Sequence, residues 1–201
     1  MFIGYPRRRE SLHLLVHFSE ATDPKGQWRL STDECAKAIA MSDTFPGEPA
    51  RIEGGGEERG FRDTTVHFIP HNRDTNWLYH KLMAAAVEAN ERCWQFDITG
   101  FFQDLQLLSY RADTQQHYTW HMDMGPGPDS GRKISISVQL SGSDDYEGGE
   151  LELNSGKILS APREAGAIVL FPSFMLHRVA PVTKGHRWAV VGWVQGQDQF
   201  R

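Results

Sequence analysis

The sequence predicts a mainly β fold: a double-stranded β-helix, or jelly roll, supported by two or more N-terminal helices. The chain has 201 residues, of which 39% are apolar, enough to bury a substantial core in one domain. Helical periodicity occurs only before residue 95. After it come eight short apolar or alternating segments, which is the strand count of a jelly roll. We therefore expect a single domain over residues 1–201, with residues 1–95 as support and residues 96–201 as the core.

Two helices are predicted in the supporting part of the chain. Ser31 and Glu34 have the spacing of a capping box, which predicts a first helix from about Thr32 to Met41. A longer second helix begins at Asp74 or Thr75. Its apolar residues recur at i, i+3 and i+4 and therefore predict one buried face; they are Trp77, Leu78, Leu82, Ala85, Ala86, Ala89 and Cys93.

The two cysteines lie in these predicted helices. Cys35 and Cys93 are far apart, and neither belongs to a C-x-x-C motif. We therefore expect both to be reduced and to face the core.

Two strands are expected before the core and eight within it. Ser11–Phe18 and Thr64–Ile69 are the first two. The polar, glycine-rich segment Glu53–Gly60 between them is either a lid over the site or a solvated insertion. The predicted core strands are Phe101–Tyr110, His117–Asp123, Lys133–Leu140, Gly149–Leu153, Ile158–Ser160, Ala167–Phe171, Leu176–Pro181 and Arg187–Val194.

Composition excludes several classes of protein. No run of 18 apolar residues is present, so we expect no membrane span, and the N-terminus lacks the apolar core of a signal peptide. These two features predict a cytoplasmic protein. The net charge of −5 gives no reason to expect a nucleic-acid partner. Histidine outnumbers cysteine nine to two, which favours nitrogen and oxygen ligands for any metal.

One histidine–carboxylate pair stands at the end of a predicted strand. His121 and Asp123 are two residues apart, so on a strand they would project from the same face. His177 begins another predicted strand 54 residues later. Two histidines and one carboxylate on adjacent strands can form the facial triad of a non-haem Fe(II) oxygenase, which leaves the other metal positions open.

An arginine adds a second element to this pattern. Arg187 follows His177 by ten residues, and Pro181–Gly185 between them has the composition of a hairpin turn. We therefore expect His177 and Arg187 to face each other across an antiparallel pair. A guanidinium there can hold the distal carboxylate of a dicarboxylate whose other end chelates the metal, and 2-oxoglutarate fits that description.

Other interpretations of these residues remain open. A lone H-x-D pair is usually a hydrogen-bonded surface pair. The chain could also be a non-catalytic, cupin-like metal or small-ligand binding module, although cupins use more histidines and lack the later arginine. A zinc hydrolase would need a general base beside the ligands, and the sequence shows none. Three further histidine pairs have i, i+4 spacing without the H-E-x-x-H pattern, so we expect no separate zinc site from them; they are His13/His17, His67/His71 and His117/His121.

The sequence resembles the Fe(II)/2-oxoglutarate-dependent oxygenases of the prolyl 4-hydroxylase type, including the bacterial PKHD-type hydroxylases. The resemblance covers about Leu105 to Gly196. Its most distinctive stretch outside the candidate ligands is D-D-Y-E-G-G-E-L at Asp144–Leu151. Its other elements are Leu107–Tyr110, Tyr118–Asp123, Arg132–Ser135, Phe171–Ser173 and Pro181–Arg187.

This resemblance implies a jelly-roll core and an enzyme that binds Fe(II) through His121, Asp123 and His177. It implies that Arg187 pairs with the co-substrate 2-oxoglutarate, that the Tyr110 hydroxyl lies near it, and that ascorbate can serve as a reductant. Ser137 occupies the position of a second tyrosine found in some relatives, so any hydroxyl contact there would be weaker. Strand parity with Arg187 points Trp193 inward, towards the core or the co-substrate pocket.

The expected reaction is hydroxylation of an unactivated C–H bond with O₂ and 2-oxoglutarate. The resemblance favours a prolyl or other amino-acid residue in a peptide or protein, or a free amino acid, as the primary substrate. Gly148 and Gly149 are read as a tight turn into the following strand, and Phe171–Ser173 as a turn before His177. The sequence leaves the oligomeric state open.

Overall fold

A computed structural model describes residues 17–18, 29–50 and 60–197. It contains two α-helices, α1 (Thr32–Ala40) and α2 (Asn76–Cys93), and fourteen strands. The strands are β1 (His17–Phe18), β2 (Gly47–Pro49), β3 (Arg62–Asp63), β4 (Thr65–Ile69), β5 (Gly100–Phe101), β6 (Leu105–Arg111), β7 (His117–His121), β8 (Arg132–Gln139), β9 (Tyr146–Gly148), β10 (Leu151–Asn154), β11 (Ile158–Ser160), β12 (Ile168–Pro172), β13 (Leu176–Val179) and β14 (Val182–Gln195).

The predicted mainly β class is confirmed, and both helices lie where the sequence placed them. At the start of α1, the Ser31 hydroxyl accepts from the Glu34 amide at 3.2 Å, and the Glu34 carboxylate accepts from the Ser31 amide at 2.7 Å. This is the predicted capping box, and it satisfies two amides at the helix end that have no intrahelical acceptor. No helix in the described ranges is long and apolar enough to cross a bilayer.

The helices bury the faces that their periodicity predicted. In α2 the buried residues include Leu78, Leu82, Ala85, Ala86 and Ala89. Both cysteines are free thiols; Cys35 is buried and Cys93 is half-buried. Two sequence predictions fall wholly or partly outside the described residues: the strand Ser11–Phe18, of which only His17–Phe18 is described, and the segment Glu53–Gly60, of which only Gly60 is.

The strands form two antiparallel sheets. The large sheet has the order β1-β12-β8-β14-β6-β4-β2, with β5 and β9 also paired to β14, and the small sheet has the order β11-β10-β13-β7-β3. Strands β2, β3 and β4 come from the N-terminal part of the chain, so that part extends both sheets as well as supplying helices. The predicted strand Phe101–Tyr110 is divided into β5 and β6, and β9 is an additional strand.

The predicted hairpin between His177 and Arg187 is wrong. His177 lies on β13 in the small sheet and Arg187 on β14 in the large sheet, and these two strands are not paired. The chain changes sheets at Ala180–Pro181, and Gly185 lies within β14 rather than in a turn. Gly185 has φ +73°, and a Cβ there would meet the Asp145 carbonyl at 2.0 Å. The glycine therefore accommodates an irregular pairing with β9, where the register shifts.

Two cores lie on opposite faces of the large sheet. One cluster packs helix side chains against the large sheet, and the other lies between the two sheets. Strand β8 contributes to both faces. Ile134 and Ile136 belong to the helix-facing cluster, and Ser135 and Ser137, which alternate with them, project from the opposite face. The space between the sheets is therefore lined partly by polar side chains, and the candidate site lies there.

The turn from β9 to β10 gives a direct test of this sheet arrangement. Gly148 has φ +73°, and a Cβ there would lie 2.2 Å from the Pro181 carbonyl. Gly148→Ala should lower the free energy of unfolding by about 3 kcal/mol, from left-handed backbone strain and the displaced carbonyl. The matched control is Gly156→Ala, at φ +95° with nothing within 4 Å of the added Cβ, which should cost only about 1 kcal/mol. Urea denaturation measures both variants, and equal losses of unfolding free energy would contradict the close approach of Gly148 to the Pro181 carbonyl.

Candidate metal and co-substrate site

Two histidines face each other across neighbouring strands of the small sheet. β7 and β13 are antiparallel, and His121 is the direct partner of His177. Their ring centroids are 4.1 Å apart. The side chain of each histidine is less than one-tenth exposed. The backbone ladder therefore fixes the separation of the two imidazoles.

Backbone carbonyls orient both imidazole rings. Nδ1 of His121 lies 2.7 Å from the Thr119 carbonyl, and Nδ1 of His177 lies 2.9 Å from the Met175 carbonyl. A carbonyl can only accept, so each Nδ1 carries the proton and donates it. In the neutral form of a ring held this way, Nε2 keeps a free lone pair, which is the state in which histidine binds a metal.

Asp123 completes the group from just beyond the end of β7. Its backbone amide donates to the Ser173 carbonyl at 3.0 Å, and Oδ2 lies 2.6 Å from the Ser135 hydroxyl. Ser135 also lies 3.0 Å from the Ser173 hydroxyl. Because a hydroxyl has one hydrogen and a carboxylate only accepts, Ser135 donates to Asp123 and Ser173 donates to Ser135. Two serines therefore hold the carboxylate.

The three side chains converge on one point. Their ligand atoms lie within 4.8 Å of one another, and Asp123 is 3.5 Å from Nε2 of each histidine. In the part of the chain that the structure describes, His121, Asp123 and His177 form the only group of three or more histidine, cysteine or acidic side chains that could hold a metal ion. Two imidazoles and a carboxylate fit a divalent iron, whose remaining positions would stay open.

Protonation states at neutral pH suit metal binding. Burial raises the pKa of Asp123, but His177 and His121 together with the Ser135 hydroxyl outweigh it, so the pKa lies below its usual range. Burial lowers the pKa of His177, and Asp123 opposes that effect only in part. The aspartate is therefore ionised and His177 is neutral.

Arg187 and Tyr110 lie together on the large sheet. Arg187 on β14 is the direct partner of Tyr110 on β6, and its guanidinium carbon lies 5.4 Å from the centre of the tyrosine ring. Both side chains are fully buried. Among the described residues, the Tyr110 hydroxyl and Arg187 Nε have no hydrogen-bond partner, and Arg187 forms no ion pair. Burial raises the pKa of Tyr110, so the phenol is neutral and does not balance the arginine's charge.

The tight turn before β10 also makes room for this arginine. Gly149 has φ +65°, and a Cβ there would lie 3.1 Å from Cδ of Arg187 and 2.8 Å from Val182. The sequence assigned Gly148 and Gly149 to turn formation alone. In the structure, Gly149 in addition leaves space for the arginine stem.

Ser137 and Trp193 also face the space between the sheets. Ser137 on β8 is 6% exposed and lies opposite Val191 of β14. Trp193 is 8% exposed, and the Arg132 guanidinium packs over its ring at 3.9 Å. Trp193 lines the cavity described next, as inward parity with Arg187 predicted.

A cavity of roughly 780 Å³ leads to the donor group. Its inner wall includes His121, Asp123 and Tyr118. The Tyr118 ring stacks on His121 with centroids 3.5 Å apart and an interplanar angle of 15°. Burial raises the pKa of Tyr118 to about 12, against a smaller opposing effect of Arg62, so this phenol is neutral as well. Exposed apolar side chains lie at the rim; they are Phe68, Phe102 and Met122.

Sequence reasoning missed several of these contacts. Phe171–Ser173 was expected only to set a turn, but Phe171 packs 4.7 Å from the His177 ring and Ser173 holds Asp123. From the sequence, Ser135 is only part of the Arg132–Ser135 element. The alternation of β8 could have placed it on the Asp123 side, but only the packing of the two sheets shows which carboxylate it meets.

Two antiparallel sheets thus face each other around a His₂–Asp group and a buried arginine. The sequence model of the 2OG-Fe(II) oxygenase superfamily matches residues 105–195. This stretch, a little under half of the chain, is similar to that superfamily.

Several curated relatives are PKHD-type hydroxylases. One from Synechococcus sp. (strain CC9902) is 38% identical over 96 residues, which is 46% of this chain and 42% of the relative. Another from Hyphomonas neptunium is 43% identical over 83 residues, or 39% of this chain and 37% of the relative. The chain thus matches about two fifths of the length of these relatives.

Solved structures share the fold over most of the chain. A prolyl hydroxylase from Trichoplax adhaerens, in complex with a hypoxia inducible factor peptide fragment, has a TM-score of 0.72 at 17% identity and covers 90% of this chain and 84% of its own. A Pseudomonas putida prolyl-4-hydroxylase has a TM-score of 0.69 at 18% identity and covers 91% and 93%. These likenesses confirm the double-stranded β-helix core.

The role of the Ser135 hydroxyl in holding Asp123 can be tested by comparison with Ser137 on the same strand. Ser135→Ala removes the hydrogen bond to Oδ2 and should weaken Fe(II) or Mn(II) binding about tenfold, the lower range for residues that support metal ligands. Ser137→Ala removes a hydroxyl from the same face of β8 and should leave metal affinity within about twofold, because Ser137 forms no hydrogen bond with the donor group among the described residues. Anaerobic calorimetry measures both, and equal weakening would contradict the role of Ser135.

Proposed function

We propose that this protein is an Fe(II)- and 2-oxoglutarate-dependent dioxygenase that hydroxylates an unactivated C–H bond. One observation carries the proposal: the space between the two sheets holds both a His₂–Asp donor group and a buried arginine without a carboxylate partner among the described residues. A metal-binding module needs only the first feature. A metal and a dicarboxylate bound together need both.

His121, Asp123 and His177 are proposed to hold the iron on one face. When bound, the iron and 2-oxoglutarate supply the oxidising chemistry, in which O₂ is consumed, 2-oxoglutarate becomes succinate and CO₂, and the substrate gains a hydroxyl group. The protein keeps the donor group in the reactive state. Thr119 and Met175 hold the imidazoles by their Nδ1 atoms, so neither ring can rotate its Nε2 away from the shared point.

Arg187 is proposed to bind the distal carboxylate of 2-oxoglutarate. A guanidinium binds a carboxylate through two parallel hydrogen bonds, and burial strengthens both. We assign the Tyr110 hydroxyl, which has no partner among the described residues, as a donor to the same ligand. Ser137 and Trp193 line the same inter-sheet space, and we assign them to the co-substrate wall.

The walls between the sheets exclude water from the reacting atoms. Leu153 and Phe171 are almost fully buried in the cluster that joins the sheets, and Tyr118 covers one face of His121. Exclusion of water strengthens the ionic contacts and protects a strong oxidant from side reactions. The open direction is the cavity, which is the proposed route for the primary substrate.

We propose a prolyl or other amino-acid residue in a peptide or protein, or a free amino acid, as that substrate. Two things support it: the PKHD-type hydroxylase relatives and the peptide in the structure of the Trichoplax neighbour. The test is incubation with Fe(II), 2-oxoglutarate, O₂ and ascorbate as reductant, with a panel of peptides and amino acids. Mass spectrometry should detect succinate and a 16 Da gain on the substrate, as required by insertion of one oxygen atom. No succinate with any substrate would contradict the proposal.

The donor group is tested by variants on one strand. His121→Ala and Asp123→Ala should each weaken Fe(II) binding by at least about 100-fold and abolish succinate formation, because two donors cannot hold the ion in place. His117→Ala, at the other end of β7, should retain both properties. Circular dichroism checks that all three proteins fold. Retention of metal by both ligand variants would contradict the assignment.

The co-substrate role of Arg187 predicts a different pattern. Arg187→Met removes the charge while keeping a flexible apolar stem, and it should weaken 2-oxoglutarate binding by about 100-fold or more, the value of a buried bidentate ion pair. Metal affinity should stay within about threefold, because Arg187 contacts none of the three donors. Arg111→Met, on the exposed end of β6, is the control and should bind 2-oxoglutarate normally. The measurement is calorimetric titration of 2-oxoglutarate into the Mn(II)-loaded protein.

A further inference from the structure

The guanidinium of Arg62 lines the cavity beside the metal donors. Arg62 lies on β3, where it is the direct partner of Tyr118 on β7. Its guanidinium carbon lies 4.8 Å from the centre of the Tyr118 ring, and that ring in turn stacks on His121. The order from cavity wall to metal donor is therefore arginine, phenol and imidazole.

Hydrogen bonding leaves this guanidinium only partly satisfied. Nη2 donates to the Gln106 side-chain oxygen at 3.1 Å, which fixes the direction of the group. Nε is buried and has no partner in the described ranges. A buried donor without an acceptor costs free energy that a ligand can recover on binding.

No carboxylate among the described residues neutralises Arg62. Within the cavity, Asp129 pairs with Arg132 at 2.7 Å. Glu48 and Asp104 are exposed at its edge, where water screens them.

The charges of the loaded site also leave Arg62 uncompensated. Under the proposed function, the two charges of Fe(II) and the charge of Arg187 cancel those of Asp123 and the 2-oxoglutarate dianion. One positive charge then remains in the cavity wall next to the reaction centre. This charge favours an anionic group on whatever molecule enters the cavity.

We propose that Arg62 forms a subsite for a carboxylate of the primary substrate. The inference rests on the proposed function, which it deepens by naming the substrate class: a molecule that carries a carboxylate close to the C–H bond to be hydroxylated. The carboxylate comes either from an acidic side chain flanking that residue or from a free α-carboxyl group. In both cases it meets the same guanidinium, held by Gln106 and Tyr118.

Carboxylate preference is tested with three octapeptides that carry a neutral dye. The first two have a central proline and an amidated C-terminus, and this proline is flanked by glutamates in the first peptide and by glutamines in the second. The third carries glutamines and ends in a proline with a free carboxyl group. Binding is measured by fluorescence anisotropy with the Mn(II)-loaded protein and the unreactive 2-oxoglutarate analogue N-oxalylglycine. At least one carboxylate peptide should bind about tenfold more tightly than the fully amidated glutamine peptide, the effect of one charge-assisted pair.

Variants assign that preference to Arg62. Arg62→Met should reduce the ratio to below about twofold, whereas Arg62→Lys, which keeps the charge, should retain part of it. The matched control is Arg178→Met. Its guanidinium also lies 4.8 Å from an aromatic ring, that of Trp120, but it is ion-paired with Glu152 and does not line the cavity. This control should keep the full ratio.

The outcomes separate this inference from the proposed function. Equal binding of the three peptides, no binding of either carboxylate peptide, or a preference that survives Arg62→Met would overturn the subsite. In each of these cases the proposed function stands if the protein still binds Fe(II) and 2-oxoglutarate and forms succinate. Arg62→Met should bind 2-oxoglutarate within about twofold of the parent protein, because Arg187 holds that ligand; a loss as large as that of Arg187→Met would assign Arg62 to the co-substrate and overturn the inference.

Discussion

The pairing of β7 with β13 is the constraint on which the candidate site depends. It places His121 opposite His177, so backbone hydrogen bonds determine how far apart the two imidazoles lie. Asp123 joins them only because Ser173 holds its backbone and Ser135, from the facing sheet, holds its carboxylate. The three donor atoms thus depend on both sheets. A shift of one sheet against the other would separate them even if every ligand residue were present.

Two guanidinium groups without a carboxylate partner among the described residues link the stability of the interior to its ability to bind anionic ligands. A buried cation without a counter-charge costs stability. Among the described residues Arg187, beside Tyr110, is in this state, and Arg62, beside Tyr118, is a half-buried cation whose Nε is buried without an acceptor. In the proposed function, the first receives the co-substrate carboxylate and the second a substrate carboxylate. Binding then recovers the desolvation cost, which gives selectivity for ligands that carry the charge in the right place.

The sequence predicted the local features of this fold well and its long-range contacts less well. The capping box at Ser31 and the alternation of β8 depend on residues a few positions apart, and both have the expected structure. The hairpin before Arg187 was wrong because a glycine in a strand irregularity has the same local signature as a glycine in a turn. Ser135 and Arg62 were missed because their partners, Asp123 and Tyr118, are distant in sequence and meet them only through sheet packing and strand pairing.

The central claim is that the donor group and Arg187 bind a metal and a dicarboxylate together. The most direct measurement is anaerobic titration of 2-oxoglutarate into the Fe(II)-loaded protein, followed by visible absorption. Chelation of the iron by the keto acid should produce a weak metal-to-ligand band that saturates at one equivalent, and Arg187→Met should move its midpoint to a much higher concentration. A protein that binds Fe(II) but gives no such band at any 2-oxoglutarate concentration would contradict the account.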